Sequence, residues 1–307
     1  MAKPALLILA AGMASRYGSM KQTEGFGPSG ETIMDYSIYD AIRSGFGRIV
    51  FIIRKDFAAA FEPVFNEKLK GRVEVDYVYQ DLHSFTGDTA ISPDRVKPWG
   101  TAHAVLCASG AITGNFAVIN ADDFYGRDAF EKAAVFLQNE CSPERYAIVG
   151  YELAKTLSAN GTVSRGVCDT DEKGNLASVK ERTKVFAQDG GIVYMEGDKT
   201  EPIPAGARAS MNFWCFHPAV FEICRQQFAQ FLQTHGHDPK AEFFITNVGD
   251  YAIQSGTAEI AILPTAAQWF GVTYKEDAEG VKAGINTLVN DGAYPPVLWE
   301  SRQNTPE

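Results

Sequence analysis

What this sequence has little of narrows its reading first. No apolar run approaches the roughly 18 residues that a membrane helix needs, so no membrane span and no membrane partner are expected. The five cysteines, Cys107, Cys141, Cys168, Cys215 and Cys224, are odd in number and widely spaced, with no Cys-x-x-Cys pair. That disfavours a disulfide framework or a structural zinc site and makes a reducing cytoplasm the expected compartment. Positive charge is scarce: 28 Lys and Arg stand against 38 Asp and Glu, a formal net charge of −10. A broad nucleic-acid surface needs clustered cations and is not expected. A pocket with two or three cations and a metal can still bind phosphate inside an acidic protein. The apolar start, Met1 to Met13, lacks the basic flank and long apolar centre of a secretory signal and reads as a first buried strand. There is no internal repeat, no low-complexity linker and no composition break. The hydrophobic share of 45% is enough for a sizeable core.

Strand and helix alternate through the first half. Ala5 to Ala10 is an all-apolar run ending at a Gly-containing loop, as a strand buried on both faces should be. A helix is expected over Thr32 to Ser44, stopped by Gly45 and Gly47, then strand Arg48 to Ile53, helix Ala58 to Leu69 (its start blurred by Pro63) and strand Val73 to Gln80. Helix Thr101 to Ser109, strand Asn115 to Asn120 and helix Asp128 to Asn139 follow. This pattern predicts an α/β fold with a doubly wound, mostly parallel sheet, whose ligands sit beyond the carboxyl ends of the strands. The second half differs. Short β-like runs at Tyr146 to Leu153, Val163 to Asp169, Leu176 to Lys184 and Ser210 to His217 suggest a mixed or antiparallel extension. Pro218 to Thr234 and Lys240 to Ser255 look helical. We therefore expect one domain over 1–290, with a nucleotide-binding half at 5–145 and a substrate half at 146–290. A tail at 291–307 then wraps the surface or frays.

The loops after Ala10, Gln80 and Asn120 are where chemistry is sought. After the first strand, Ala10, Ala11 and Gly12 form a turn of small residues whose backbone N–H groups can approach a base or phosphate. Arg16 and Lys21 follow as two cations five residues apart. On spacing alone this is equally a strand-to-helix turn with two surface cations, and it matches neither the G-x-G-x-x-G nor the G-x-x-x-x-G-K-[ST] pattern. In W-G-T-A-H-A-V, Trp99 to Val105, Gly100 and Thr101 open a helix and offer N–H groups and a hydroxyl, which could equally be an ordinary cap. In V-I-N-A-D-D-F-Y-G, Val118 to Gly126, a buried strand ends in two adjacent carboxylates, ligands suited to Mg²⁺ or a cap for the next helix. His103, with no second ligand nearby, reads as a helix residue and not a metal site.

Taken in this order, the motifs resemble those of the sugar-1-phosphate nucleotidyltransferase (nucleotide-sugar pyrophosphorylase) superfamily. Its Rossmann-like fold opens with L-A-A-G-x-x-x-R and a following Lys, matched by Leu9, Ala10, Ala11, Gly12, Arg16 and Lys21. The short Arg-to-Lys spacing, with Gln22 next, looks more like the cytidylyltransferase and molybdopterin-guanylyltransferase branch. Gly27 to Ile38 resembles the segment that leads into the family's first helix. Gly100 and Thr101 match its G-T-A-x-A base-recognition motif, and Gln80 looks like the polar residue that also reads the base. The stretch between them, Asp81 to Pro98, is longer than usual and reads as a lid. The resemblance implies that Asp122 is the metal-binding aspartate, with Asp123 the lesser ligand. It implies that Gly166, in S-R-G-V-C-D, approaches the sugar and that Glu181, in V-K-E-R-T, accepts from sugar hydroxyls. Arg182 stands where a Lys meets the phosphate, and Asn212 lines the sugar pocket. In W-F-G-V-T, Trp269 to Thr273, the usual Asp or Asn metal ligand is missing. Thr273 is its nearest equivalent, with Asp277 as an alternative that reaches back.

The activity implied is transfer of a nucleotide from a nucleoside triphosphate to a sugar 1-phosphate, with Mg²⁺ as cofactor and Arg16, Lys21 and Asp122 as catalytic residues. The rivals are a cytidylyltransferase for an alditol or choline phosphate, a glycosyltransferase, and a catalytically silent nucleotide binder motivated by Thr273. A homo-oligomer is left open, as are the base and the sugar.

Overall fold

The computed structural model describes residues 2–12 and 25–299. Strands β1 (Ala5–Leu9), β2 (Arg48–Ile53), β3 (Glu74–Tyr79) and β4 (Phe116–Asn120) form the parallel side of one large sheet, in the order β3-β2-β1-β4. Their continuous apolar runs follow from burial on both faces. Leu6 and Ile8 enter one core layer with Met34, Ile38, Phe65 and Phe130, while Ala5 and Leu7 enter the other with Val105, Phe221, Phe228 and Val248. Helices α1 (Ile33–Arg43), α2 (Ala58–Leu69) and α4 (Arg127–Asn139) cover the first layer. Helices α3 (Thr101–Cys107), α5 (Val220–His235) and α6 (Ile245–Gln254) cover the second.

The other side of the sheet is built differently. A two-residue strand, β5 (Asp123–Phe124), stands apart, and β6 (Arg145–Glu152), β7 (Val163–Thr170) and β8 (Leu176–Gln188) follow. A hairpin of β9 (Gly191–Glu196) and β10 (Lys199–Ile203) extends β8 antiparallel, and β11 (Arg208–Phe216) joins the two sides. The first part of β11, Arg208 to Ser210, lies between β6 and β7; its last part, Trp214 to Phe216, lies between β6 and β4. The register shifts between Ser210 and Trp214, and Asn212 there takes a positive φ of 60°. The sheet thus forks at Asn212, with β4 on one branch and β7 on the other. Strand β12 (Glu259–Thr265) pairs parallel with β6, and β13 (Phe270–Gly271) pairs with β5.

Parallel pairing therefore holds on one side of the sheet, and the second half of the chain is largely antiparallel. The β9–β10 hairpin, β12 and the β5–β13 ribbon are additions to the expected elements. Strand β12 was obscured by Pro264, which sits near its end opposite Gly150. Pro63 lies inside α2 without ending it. Segment 291–299, after α7 (Asp277–Asn290), does not fray: Tyr294 and Leu298 are buried, and Tyr294 Oη donates to Asp40 at 2.7 Å. The stretch Asp81 to Pro98 is also pinned. Arg95 donates to the carbonyls of Pro98, Asp238 and Ala241 and stacks 3.3 Å over Trp99, whose indole N–H reaches Leu82 O at 2.8 Å.

Candidate active site

The carboxyl ends of the parallel strands converge at one edge. Leu9 is in register with Ile52 on one side and Asn120 on the other, and Ala10 N–H donates to Ile52 O at 2.9 Å. Gln80 N–H donates to Ile53 O at 2.9 Å, so Gln80 and the turn Ala10–Gly12 flank the end of β2. Two strand spacings separate them, roughly 10 Å. Arg16 and Lys21 lie outside the described residues.

On the Gln80 side the polar contacts of the glutamine amide are to neutral groups. Gln80 Nε2 donates to Gly100 O at 3.1 Å and faces His103 Nδ1 at 3.1 Å. Gly100 needs its missing side chain: at φ 105° a Cβ would lie 2.5 Å from Phe243 O. The loop is stitched there by Ala102 N–H to Phe243 O and Phe243 N–H to Trp99 O. Thr101 Oγ1 accepts from Ile245 N–H at 2.9 Å, so its oxygen caps α6. His103 is fully buried against Phe228 at the base of this corner, and burial pushes its pKa down to about 4.

On the Asn120 side the site is charged. Asn212 Nδ2 donates to Asn120 Oδ1 at 2.7 Å, and Asn120 Nδ2 donates to Asp123 Oδ2 at 2.9 Å. Trp214 Nε1–H holds Asn212 Oδ1 at 3.1 Å, so the unusual backbone at the fork serves a chain of amides ending on a carboxylate. Tyr125 Oη lies 3.3 Å from the same Asp123 oxygen. Burial, then the neighbouring Asp122 charge, push the Asp123 pKa up to about 7, against the lowering effect of these hydrogen bonds and of Arg165. Two adjacent carboxylates thus follow β4, and the inner one, Asp123, is held there at a cost in burial and like charge.

The residues of the second half gather beside this pair. Gly166 is in register with Glu181 on β8 and with Ser210 on β11, and a Cβ on Gly166 would press Val179 at 2.7 Å. The Glu181 pKa is raised by desolvation, with Arg165 opposing. Arg182, opposite Arg165, stacks 4.3 Å over the Tyr194 ring. Arg165, which the motifs did not single out, is buried, stacks 4.9 Å over Trp269 and donates to Thr156 O and Ser164 O. In register with Asp123 stands Gly271, not Thr273. Thr273 N–H donates to Asp277 Oδ2 at 3.1 Å, and the same oxygen accepts from Tyr274 N–H. Asp277 is further occupied by Ser158 and Asn160, so it caps a turn and does not reach back. Among the described residues no group of three or more His, Cys, Asp or Glu is placed to hold a metal by itself. Asn120, Asp123, His103 and Arg165 went unassigned or underrated from sequence. Asp123 was legible as one of a pair, and Asn120 had a signal as the last polar residue of a buried strand before two carboxylates.

The geometry agrees with what this chain matches. A family model described as nucleotidyl transferase matches residues 6–272. Among the solved structures that share the fold are three at 15% identity or less. An inositol-1-phosphate CTP transferase from T. maritima has a TM-score of 0.61 at 12% identity, covering 93% of this chain and 97% of its own. A Bacillus anthracis protein assigned as a glucose-1-phosphate thymidylyltransferase, solved with sucrose, has a TM-score of 0.62 at 13%, covering 92% and 95%. A UDP-glucose pyrophosphorylase complexed with UDP-glucose has a TM-score of 0.58 at 15%, covering 93% and 99%. No curated protein sequence matches this chain.

Proposed function

Because this chain belongs to the nucleotidyl transferase family, we propose that it joins a nucleoside triphosphate to a sugar 1-phosphate, giving a nucleotide sugar and pyrophosphate. The observation that carries this reading is the meeting of Asn120, Asp123 and Asn212 at the fork of the sheet. A carboxylate site there lies between the base-side strands and the antiparallel strands of Gly166 and Glu181, as transfer between two substrates requires. An oxygen of the sugar 1-phosphate bonds to the α-phosphorus while the bond from that phosphorus to the bridging oxygen breaks, and pyrophosphate leaves with that oxygen. Side chains need do little covalent chemistry. The barrier falls because two polyanions are aligned and their charge is met by fixed groups.

Gln80 and the turn Ala10–Gly12 face the base, with Gly100 and Thr101 fixing the corner beside it. Arg16 and Lys21 meet phosphate, a role supported by the motif alone. Glu181 accepts from the sugar, and Asn212 holds the fork open beside it. Arg182 reaches a phosphate only by leaving the Tyr194 ring. The paired carboxylates fit Mg²⁺, which takes one or two carboxylates together with phosphate oxygens. Burial and the Asp122 charge raise the Asp123 pKa, an effect that a bound cation would oppose. Asp122 and Asp123 would hold the ion, which when bound supplies neutralisation of polyphosphate charge. We place the two halves, 5–145 and 146–290, in one functional unit, and the protein in the cytoplasm, where its five free cysteines are stable.

The test is pyrophosphate release from four nucleoside triphosphates against a panel of sugar and polyol phosphates, with Mg²⁺. Release with a hexose 1-phosphate supports the reading. Release only with an alditol or choline phosphate replaces it with the cytidylyltransferase alternative. Nucleotide binding with no release for any acceptor makes the chain a silent binder.

A further inference from the structure

The corner at Gln80 constrains which base can sit there. Ser84 O, a carbonyl and so an acceptor only, lies 2.9 Å from His103 Nε2, which must therefore carry a proton. The ring is fully buried and neutral near pH 7, so Nδ1 is left bare as an acceptor. The Gln80 group 3.1 Å from Nδ1 must then be the NH₂. Gly100 O, a second pure acceptor at 3.1 Å, demands the same orientation independently. Both protons of the amide are thus committed to protein. A flip of the side chain would set its carbonyl oxygen against two lone pairs in a buried corner, which is costly. Only the Oε1 acceptor is left for a ligand at the end of β3.

We propose that His103 and Gly100 O lock Gln80 as a one-way acceptor, so that the site takes a keto-base nucleotide (uracil, thymine or guanine) in preference to cytosine or adenine. The keto bases carry N–H on the ring nitrogen at the centre of the Watson–Crick edge. Cytosine and adenine present a lone pair there, which the locked oxygen repels and an unlocked glutamine would satisfy by flipping; their donor, the exocyclic amino group, lies one position along the edge, so it meets the locked oxygen only if the base shifts in its seat. His103 is on this account a positioning residue: it touches Gln80 and not the base.

The inference rests on the nucleotidyl-transfer reading and deepens its choice of substrate. Its test is therefore binding, measured by calorimetry with UTP, dTTP, GTP, CTP and ATP and no acceptor. In the native protein at least one keto-base nucleotide should bind about tenfold or more tighter than CTP and ATP. His103→Gln gives Gln80 a neighbour that can itself flip and donate, so the ratio of best keto-base to CTP affinity should fall several-fold, with CTP gaining. A purely structural role for His103 would weaken all five alike. Gln80→Leu, at a partly exposed position, should bring the ratio close to one, and it decides the matter if His103→Gln does not fold. CTP or ATP binding as tightly as every keto-base nucleotide in the native protein overturns the lock while leaving nucleotidyl transfer intact. So does native discrimination that survives in Gln80→Leu. Failure of all five to bind overturns the nucleotidyl-transfer reading itself, and the inference with it.

Discussion

The two ends of the candidate site solve opposite problems. At Gln80 both amide protons and both His103 nitrogens are paired with neutral partners, so the corner is held in place before any ligand arrives. At Asn120 the same kind of amide network terminates on a carboxylate whose neighbour is another carboxylate. A neutral network discriminates by shape and lone pairs, whereas a network that ends on adjacent carboxylates responds to the charge of whatever binds beside it.

The comparison breaks most sharply at Asp122. Asp122→Asn should lower kcat/KM by about 10²–10³, the scale for one lost charge contact in a transition state, with partial recovery at high Mg²⁺ or with Mn²⁺. Turnover assays after exhaustive chelation check it, and native activity surviving there would remove the metal from the charged end. The next effect concerns a buried carboxylate on α1. Asp40 pairs with Arg43 at 2.6 Å and accepts from Tyr294, yet burial still raises its pKa to about 6. A raised folded pKa means that stability present in full below the unfolded value of 3.8 is lost as pH rises through about 6. Asp40→Asn should therefore gain on the native protein by on the order of 2–3 kcal/mol between pH 4 and 7. Urea unfolding at both pH values measures this, and a pH-independent difference would contradict it.

Smaller still is Gly271→Ala. A methyl group there would overlap the Trp269 ring, so a loss of about 1–3 kcal/mol is expected on thermal unfolding. For the same reason a second carboxylate cannot simply be installed opposite Asp123. An unchanged melting temperature in Gly271→Ala would show that the ribbon yields. The mildest change is Glu181→Gln, which should raise KM for the sugar phosphate several-fold, roughly the 1 kcal/mol of one hydrogen bond. Triphosphate affinity should hold, and its collapse in a binding assay would move Glu181 to the charged end.

Much of the parallel side was legible, because strands buried on both faces announce themselves: Arg48–Ile53 and Ala58–Leu69 lie where periodicity put them. The β9–β10 hairpin was not, since of its residues only Ile203 is buried and the rest carry no strong alternation. In the site, two carboxylates after β4 were visible as a pair. Which of them the backbone turns towards Asn120 depends on a β5–β13 pairing that links residues almost 150 positions apart, beyond any local pattern. His103 showed only its helical phase; its role depends on Ser84, in a segment without regular structure. The two-residue offset that sets Gly271, and not Thr273, opposite Asp123 likewise needed the register.

The docking of segment 291–299 on α1 has a consequence for biosynthesis. Trp299 Nε1–H reaches Asp35, Leu298 N–H reaches Glu31 and Tyr294 reaches Asp40, across 264, 267 and 254 positions of chain. Asp35 and Asp40 are fully buried in the finished protein, yet these partners are synthesised long after α1 itself. At about 5–20 residues per second, the helix waits roughly 10–50 s on the ribosome for its cover. Throughout that interval a nascent chain shows the Tyr36 and Tyr39 rings, which Tyr294 later closes. A denatured full-length chain does not have that wait, so its refolding in a test tube spends no such time with the aromatic face bare.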